Sequence, residues 1–396
     1  MLEQVLIWVF WISVAVGCYV YFIYPLILAA LAAILGRQDR FPDLSDDDLP
    51  SVALMIPCYN EERDIEAKLL NSMELDYPKD RLRIIVLNDG SSDSTVEIAR
   101  RFFMSHPEAY ITLLDYKENR GKSAALYQGI SWLKENHPEI EVLALTDANA
   151  MWAKDALRKI IAPFSDPKVG SASGLLRYTV REDDPAGRME GLYWRYETFL
   201  KRMSSRLGTL PGANGSIFAL RLSAYHPLSK TRGDDYELPV MGIINGYKAI
   251  LVEDADSREA PSPSFSSEYR RKLRITGQMI PSGLMLFWKA LGRGRILIAF
   301  QLLSHKLLRY SIPFFQILLL VSSLLLWDAA LFYRFAFIAQ ALFYTLAFTG
   351  YMIERAGSRP PRAFQIPLYF TMVNIASLMS IIRVTAGREI RWERNR

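Results

Sequence analysis

Cysteine and, over long stretches, charge are what this chain of 396 residues has least of. Its two cysteines, Cys18 and Cys58, exclude a disulfide scaffold and fit a reducing compartment. Charged residues make up only 22% against 51% hydrophobic, which excludes disorder and an ordinary pair of soluble domains. The missing charge is localised. No Asp, Glu, Lys or Arg lies between Glu3 and Arg37, Arg309 and Asp328, Arg334 and Glu354, or Arg362 and Arg383. Uncharged apolar runs of about 18 residues or more are long enough to cross a bilayer core. The chain is therefore expected to be an integral membrane protein with one large water-exposed domain.

What charge there is divides unevenly. From Arg270 onward 18 Lys/Arg stand against 4 Asp/Glu, a balance of +14, which leaves 29 against 38, or −9, before it. A basic C-terminal third interleaved with apolar runs points to anionic lipid headgroups rather than nucleic acid. The acidic body leaves two readings open, carboxylates placed on a metal or plain solubility.

Residues 1–36 read as an N-terminal transmembrane helix built on the apolar run Val5–Leu35. It lacks a basic leading region and a small-residue cleavage site and exceeds the length of a signal peptide, so it is expected to be retained. Arg37 and Arg40 follow it, which by the positive-inside rule puts the next segment in the cytoplasm. Residues 37–50, with the acidic stretch Asp39–Asp48 closed by Pro50, read as an exposed linker.

Over 51–283 short apolar runs alternate with helix-like stretches. Strands are expected at Ser51–Ile56, Leu82–Leu87, Ala109–Leu114 and Glu141–Thr146, and helices at Glu61–Ser72, Ser94–Ser105 and Lys122–Glu135. Such alternation predicts an α/β fold, a parallel sheet covered on both faces, with ligands beyond the C-terminal strand ends. The turns at that rim are Pro57–Glu62 (PCYNEE), Asn88–Asp93 (NDGSSD) and Asp147-Ala148-Asn149. Residues 284–309 include Lys289–Arg309, with five Lys/Arg and no acid, and suit an amphipathic helix on the cytoplasmic leaflet. Residues 310–386 hold three more candidate spans, about Tyr310–Trp327, Phe335–Ile353 and Phe364–Ile382, before a basic tail at 387–396. Strict alternation places that tail outside, against the charge rule; a re-entrant last segment, which carries Pro367 and Asn374, would remove the conflict.

Asp89, at a strand end before Gly90-Ser91-Ser92, suits a ribose hydroxyl or base N–H, and equally suits a turn. Asp147 and Asn149, at i and i+2, can share a hard cation, Mg²⁺ or Mn²⁺, or close an Asx-turn. Asp234 and Asp235, next to Gly233, suit general-base work, one orienting while the other takes a proton; a solvated loop is the alternative. The cluster Arg270–Gly277 (RRKLRITG) can clamp a leaving diphosphate or bind lipid headgroups.

The order of these motifs, with Gly-Lys-Ser-Ala-Ala-Leu at 121–126 between the second and third, resembles the membrane-bound family 2 glycosyltransferases. That group includes the synthases of hyaluronan, chitin, cellulose and poly-N-acetylglucosamine, and the resemblance runs over roughly residues 50–280. It implies a GT-A (Rossmann-like) cytosolic catalytic domain with transmembrane helices at both ends, in a bacterial inner membrane. It further implies a nucleotide sugar, usually a UDP-sugar, transferred with inversion to a saccharide or lipid-linked acceptor.

Residue by residue, the resemblance puts Pro57, Tyr59, Glu61, Asp89, Lys122, Asp147, Arg271 and Arg274 at the nucleotide sugar. Asp147 and Asn149 fall on the metal, Asp235 on the catalytic base beside Asp234. Gly212, Asn214 and Gly215, within Pro211–Ser216, resemble an acceptor-side loop, and a plain turn into a strand is the other reading. At the family's Gln-x-x-Arg-Trp position the arginine is kept as Arg274, while Arg271 replaces Gln and Ile275 replaces Trp. An aromatic platform is missing there, so short products are expected unless Trp194 or Tyr193 supplies one. The alternatives are a processive synthase that secretes its polymer and a nucleotide-binding membrane sensor.

Overall fold

The computed structural model describes residues 1–37, 41–179, 185–227, 233–260 and 264–387, without the side chains of 185–193. The Asp39–Arg40 part of the linker, the Tyr193 side chain and the tail Arg388–Arg396 lie outside the described residues.

An apolar helical run opens the chain: α1 (Leu2–Cys18), a π-helical turn Tyr19–Ile23, and α2 (Tyr24–Ile34). The water-exposed body then alternates β1 (Val52–Cys58), α3 (Ile65–Met73), β2 (Leu82–Asp89), α4 (Thr95–Ser105), β3 (Ile111–Tyr116), α5 (Lys122–Asn136) and β4 (Val142–Leu145). β1 is buried along its whole length because it is covered on both faces. Val52, Leu54 and Ile56 point to α3 and α4, meeting Leu69 and Phe102. Ala53 and Met55 point to α5, meeting Leu126, Ile130 and Leu133 at helical spacing. β3-β2-β1-β4 are all parallel, as the alternation predicts, so their C-terminal ends gather on one rim.

Beyond β4 the chain departs from that pattern. It continues through β5 (Met151–Trp152), α6 (Ala156–Ile161), β6 (Val169–Tyr178), α7 (Pro185–Arg206), β7 (Phe218–Arg221), α8 (Asp234–Ile244) and β8 (Lys248–Glu259). The eight-stranded sheet runs β3-β2-β1-β4-β7-β6-β8-β5, and β7 is antiparallel to both of its neighbours. The sheet is mixed rather than parallel throughout. A βαβ crossover dictates direction only while strand and helix alternate evenly; here α7 and the loop after it return β7 reversed.

α9 (Phe265–Gly292) leaves the sheet as one long helix, started by a Ser264 capping box. The expected single helix over 289–309 is not there: α9 ends at Gly292, and Gly294, at φ +68°, turns the chain. Left-handed backbone there breaks the helix, so Lys289, Arg293 and Arg295 cluster at a corner instead of along one face. A second apolar run follows from Ile296 to Leu325, comprising α10 (Ile296–Gln301), a π-helical turn Leu302–Leu307, and α11 (Leu308–Leu325). α12 (Leu331–Arg355) and α13 (Arg362–Thr385) complete the set. With the N-terminal run, these make four helices among the described residues that are long and apolar enough to cross a membrane, fitting a membrane-associated protein. α13 is uninterrupted across Pro367 and Asn374, whose Nδ2 donates to the Phe370 carbonyl at 2.8 Å.

Candidate active site

The parallel strand ends carry the predicted turns, and the turns are laced together. Asn60, at φ +57°, donates its N–H to Ser91 Oγ at 2.9 Å and accepts from Ser92 N–H at 2.8 Å. Glu61 N–H donates to Thr95 Oγ1 at 2.8 Å. Pro57 is buried in β1 opposite Leu87, while Tyr59 and Glu61 stand half-buried at the rim.

Four predicted residues converge beside them. Lys122, the first residue of α5, places its ammonium 2.8 Å from Asp147 Oδ1 and 3.3 Å from Asp234 Oδ2. Asp234 and Asp235 open α8, where the positive end of the helix dipole favours carboxylates. A Cβ added to Gly215 would lie 3.5 Å from Asp235 Oδ2, 3.6 Å from Lys122 Nζ and 3.7 Å from Asp147 Oδ2. One small volume under Gly215 is thus bounded by two carboxylates and an ammonium. Burial and neighbouring Asp234 raise the Asp235 pKa to about 6, with Lys122 opposing the rise. Burial pulls the Lys122 pKa down, but Asp147 and Asp234 win and hold it above its usual value.

Supports radiate from this cluster. Asp89 is buried, and its two oxygens accept the backbone N–H groups of Arg120 (3.0 Å) and Gly121 (2.8 Å), so it holds the turn that delivers Lys122. Asn214 is turned inward as well: its side-chain amide donates to the Gly174 carbonyl, and its Oδ1 accepts from Lys201 Nζ at 2.6 Å. Gly212 packs near Tyr236, where an added Cβ would meet Cδ2 at 3.7 Å. Lys68, fully buried on α3, donates to the Ala150 carbonyl just past Asp147-Ala148-Asn149, and burial lowers its pKa to about 7. Lys68 and Lys201 carried no sequence signal, since an isolated lysine in an amphipathic helix predicts exposure.

The arginines of α9 divide. Arg274 faces the acids: burial lowers its pKa while Asp147, Asp235 and Asp234 oppose, and its buried Nε finds no hydrogen-bond partner among the described residues. Arg271 turns aside, donating to Tyr178 Oη at 2.7 Å, with Trp194 edge-on to Tyr178 at 5.8 Å between centroids.

Among the described residues no three His, Cys, Asp or Glu side chains form a ready-made metal cage. Asp147, its side chain 38% exposed, and half-buried Asn149 still suit a hard cation whose other ligands come from a diphosphate. The Lys122 ammonium between Asp147 and Asp234 shows that the place favours positive charge.

Residues 53–228 match the family described as Glycosyl transferase family 2, and residues 142–352 match Glycosyl transferase family group 2. The chain belongs to the family 2 glycosyltransferases. The poly-beta-1,6-N-acetyl-D-glucosamine synthase of Staphylococcus aureus (strain COL) is 36% identical over 137 residues, 34% of this chain and 31% of that protein. The probable glycosyltransferase YdaM of Bacillus subtilis (strain 168) is 28% identical over 243 residues, 57% of this chain and 54% of that protein. The chain thus spans about a third to a half of the length of these curated relatives. The structure of mannosyltransferase PcManGT from Pyrobaculum calidifontis, in complex with GDP-Man and Mn²⁺, superposes with a TM-score of 0.70 at 22% identity. That superposition covers 96% of this chain and 100% of the other, so the likeness extends to the long apolar helices and shows the GT-A fold.

In this family 2 chain the Asp89 geometry generates a first test. Asp89→Asn replaces an acceptor oxygen with an N–H₂ group that cannot accept from the Arg120–Gly121 backbone. Leaving one buried donor unsatisfied should lower stability by about 1–3 kcal/mol. Hydrogen exchange should show the Arg120 and Gly121 amides losing protection; unchanged protection would remove the holding role.

Proposed function

We propose that the protein is an inverting, metal-dependent transferase that moves a sugar from a UDP-sugar to a hydroxyl of a saccharide or lipid-linked acceptor. It would act at the cytoplasmic face of a bacterial inner membrane in polysaccharide or glycoconjugate synthesis, with membrane lipids and no nucleic acid as its surroundings. The observation that carries this reading is the convergence of Asp235, Asp147 and Lys122 on Gly215 at the strand-end rim. Asp235 takes the proton of the acceptor hydroxyl. The freed oxygen attacks the anomeric carbon, and the bond from that carbon to the diphosphate breaks on the opposite face. Lys122 and Arg274 offer positive charge to the departing diphosphate. Mg²⁺ or Mn²⁺, when held by Asp147 and Asn149, supplies further neutralisation of that leaving group. Similarity to bacterial relatives, one of them a polysaccharide synthase, supports the setting and the product class.

Asp235→Asn should reduce turnover below about a tenth of wild type, since general bases contribute roughly 10²-fold or more. UDP affinity by calorimetry should stay within a few fold, because the base acts on the acceptor. With the Asp235 pKa raised to about 6, the base form is lost as pH falls through that value. Wild-type kcat/KM should accordingly drop by about tenfold per pH unit below it and level off above.

Excess EDTA should abolish transfer. Asp147→Ala should weaken Mn²⁺-dependent UDP binding more than Asn149→Ala, because a charged carboxylate holds a hard cation better than a neutral amide. Full activity in EDTA would sink the metal role.

Ile275 in place of an aromatic favours short products of one or a few sugars per acceptor. A processive reading has one observation for it: the Tyr178–Trp194 pair beside Arg271 offers flat surfaces near the site. Gel filtration of radiolabelled product should show small oligosaccharides; polymer in the void volume at low enzyme-to-acceptor ratio would establish processivity instead.

A further inference from the structure

α7 carries a buried carboxylate, Glu197, and one helical turn on a half-buried ammonium, Lys201, and each is committed to a different part of the molecule. Glu197 Oε2 lies 2.9 Å from Arg309 Nη1 and 3.5 Å from His305 Nε2, and Oε1 lies 3.7 Å from Lys306 Nζ. All three partners stand within the Ile296–Leu325 run, two of them on its π-helical turn and Arg309 in the first turn of α11. The other π-helical turn, Tyr19–Ile23, meets it there: Tyr19 Oη is 2.7 Å from Ser304 Oγ, and Tyr196 of α7 donates to the Val20 carbonyl at 3.5 Å. π-Helical turns recur at functional positions because they re-aim side chains that a regular helix would place elsewhere.

Lys201 lies four residues on, hence on the same face of α7. Its ammonium donates to Asn214 Oδ1 at 2.6 Å. Asn214 donates its backbone N–H to Ser173 Oγ at 2.9 Å, and Ala213 N–H donates to the Asp235 carbonyl at 2.7 Å. Gly215 follows, with its Cα hydrogens over the Asp235 and Asp147 carboxylates. Lys201 is also near enough to Asp235 to oppose the rise of its pKa.

We infer that Glu197 and Lys201 form a positioning relay, which seats the Asn214–Gly215 loop over Asp235 from the π-helical turn of the Ile296–Leu325 run. The inference rests on the reading of Asp235 as the base and deepens it. Burying this many charges is expensive, and apolar side chains would join α7 to the membrane helices at least as stably. What an ionic network adds is register: Glu197 can satisfy Arg309, His305 and Lys306 together in one setting of α7, and that setting puts Lys201 on Asn214. Asp147 after β4 and Lys122 on α5 keep supports of their own in the sheet and in Asp89, so a loosened loop falls first on Asp235 and the acceptor.

The test uses the full chain in membranes. Lys201→Met should lower kcat/KM for acceptor by roughly tenfold to a hundredfold, the range that small misplacements produce. UDP affinity should stay within a few fold, and hydrogen exchange should show the Ala213 and Asn214 amides losing protection while β1–β4 keep theirs. Lys201→Arg, which keeps charge and donors, should recover most of the loss. Wild-type protection at those two amides, or UDP affinity falling in step with turnover, would overturn the relay. If Lys201→Met does not fold, Glu197→Gln leaves Lys201 in place and should loosen the same two amides; unchanged protection there overturns the relay equally. Exchange is read without turnover, so a wild-type chain lacking transferase activity would count against the base reading alone.

Discussion

Three carboxylates meet at the end of a buried sheet, and the Lys122 ammonium is what allows them to. Two like charges 4 Å apart repel by about 4 kcal/mol at an effective dielectric of 20, so gathered carboxylates need a cation among them. Lys122 reaches Asp147 and Asp234 directly, and the imbalance that remains falls on Asp235. The cluster therefore sorts its members: one carboxylate is paired and open to solvent, one is buried and paired, and one is left poised near pH 6. Acid–base poise here comes first from burial and then from incomplete neutralisation of the neighbouring carboxylates.

Holding Lys122 in place makes demands on the backbone. A cation at a helix N-terminus is opposed by the dipole by about 0.3–1 kcal/mol. The 2.8 Å pair with Asp147, partly screened from water, outweighs that penalty. Gly121, at φ +92°, makes the turn into α5, a conformation open to glycine at little cost, and Asp89 grips the two preceding N–H groups. The second strand end thereby serves the fourth through a loop.

Sequence periodicity carried the first half of the sheet. β1 to β4 and α3 to α5 lie within a few residues of the expected segments because each strand is apolar on both faces and each helix on one. The strand-end positions of the acids were legible for the same reason, and Asp89, for which a turn role was an equal reading, holds the Arg120–Gly121 backbone. The second half was not legible. β6 and β8 mix polar with apolar residues, and nothing local announces that β7 runs backwards. Gly292 and Gly294 did mark the corner after α9, but the run of cations around them argued for one helix and prevailed. Asn214 illustrates a further limit: its amide, expected to face an acceptor, turns to Gly174 and Lys201, and Gly215 beside it faces the site. Composition cannot tell which of two adjacent small polar residues points inward.

The membrane helices do more than tether the catalytic body. Ser380 of α13 donates its hydroxyl to the Leu273 carbonyl at 2.9 Å, at the point on α9 between Arg271 and Arg274. Arg309 of α11 grips Glu197 of α7. The two helices that flank the acid cluster, one presenting arginines and one supporting the Asn214 loop, are thus each keyed to a different membrane-candidate helix by a buried polar contact. Such contacts are directional, unlike the apolar packing of Phe10 with Leu326 and Tyr333 that joins α1 to the C-terminal helices. Apolar packing sets how firmly the helices associate, and the polar keys set the register at which they do so. A catalytic body cut free of these helices would retain β1–β4 with Asp147 and Lys122, yet lose what orients Arg274 and Gly215. In physical terms, Asp147 and Lys122 are placed by the sheet and α5, whereas Arg274 and Asn214 are placed by helices that lean on the long apolar ones.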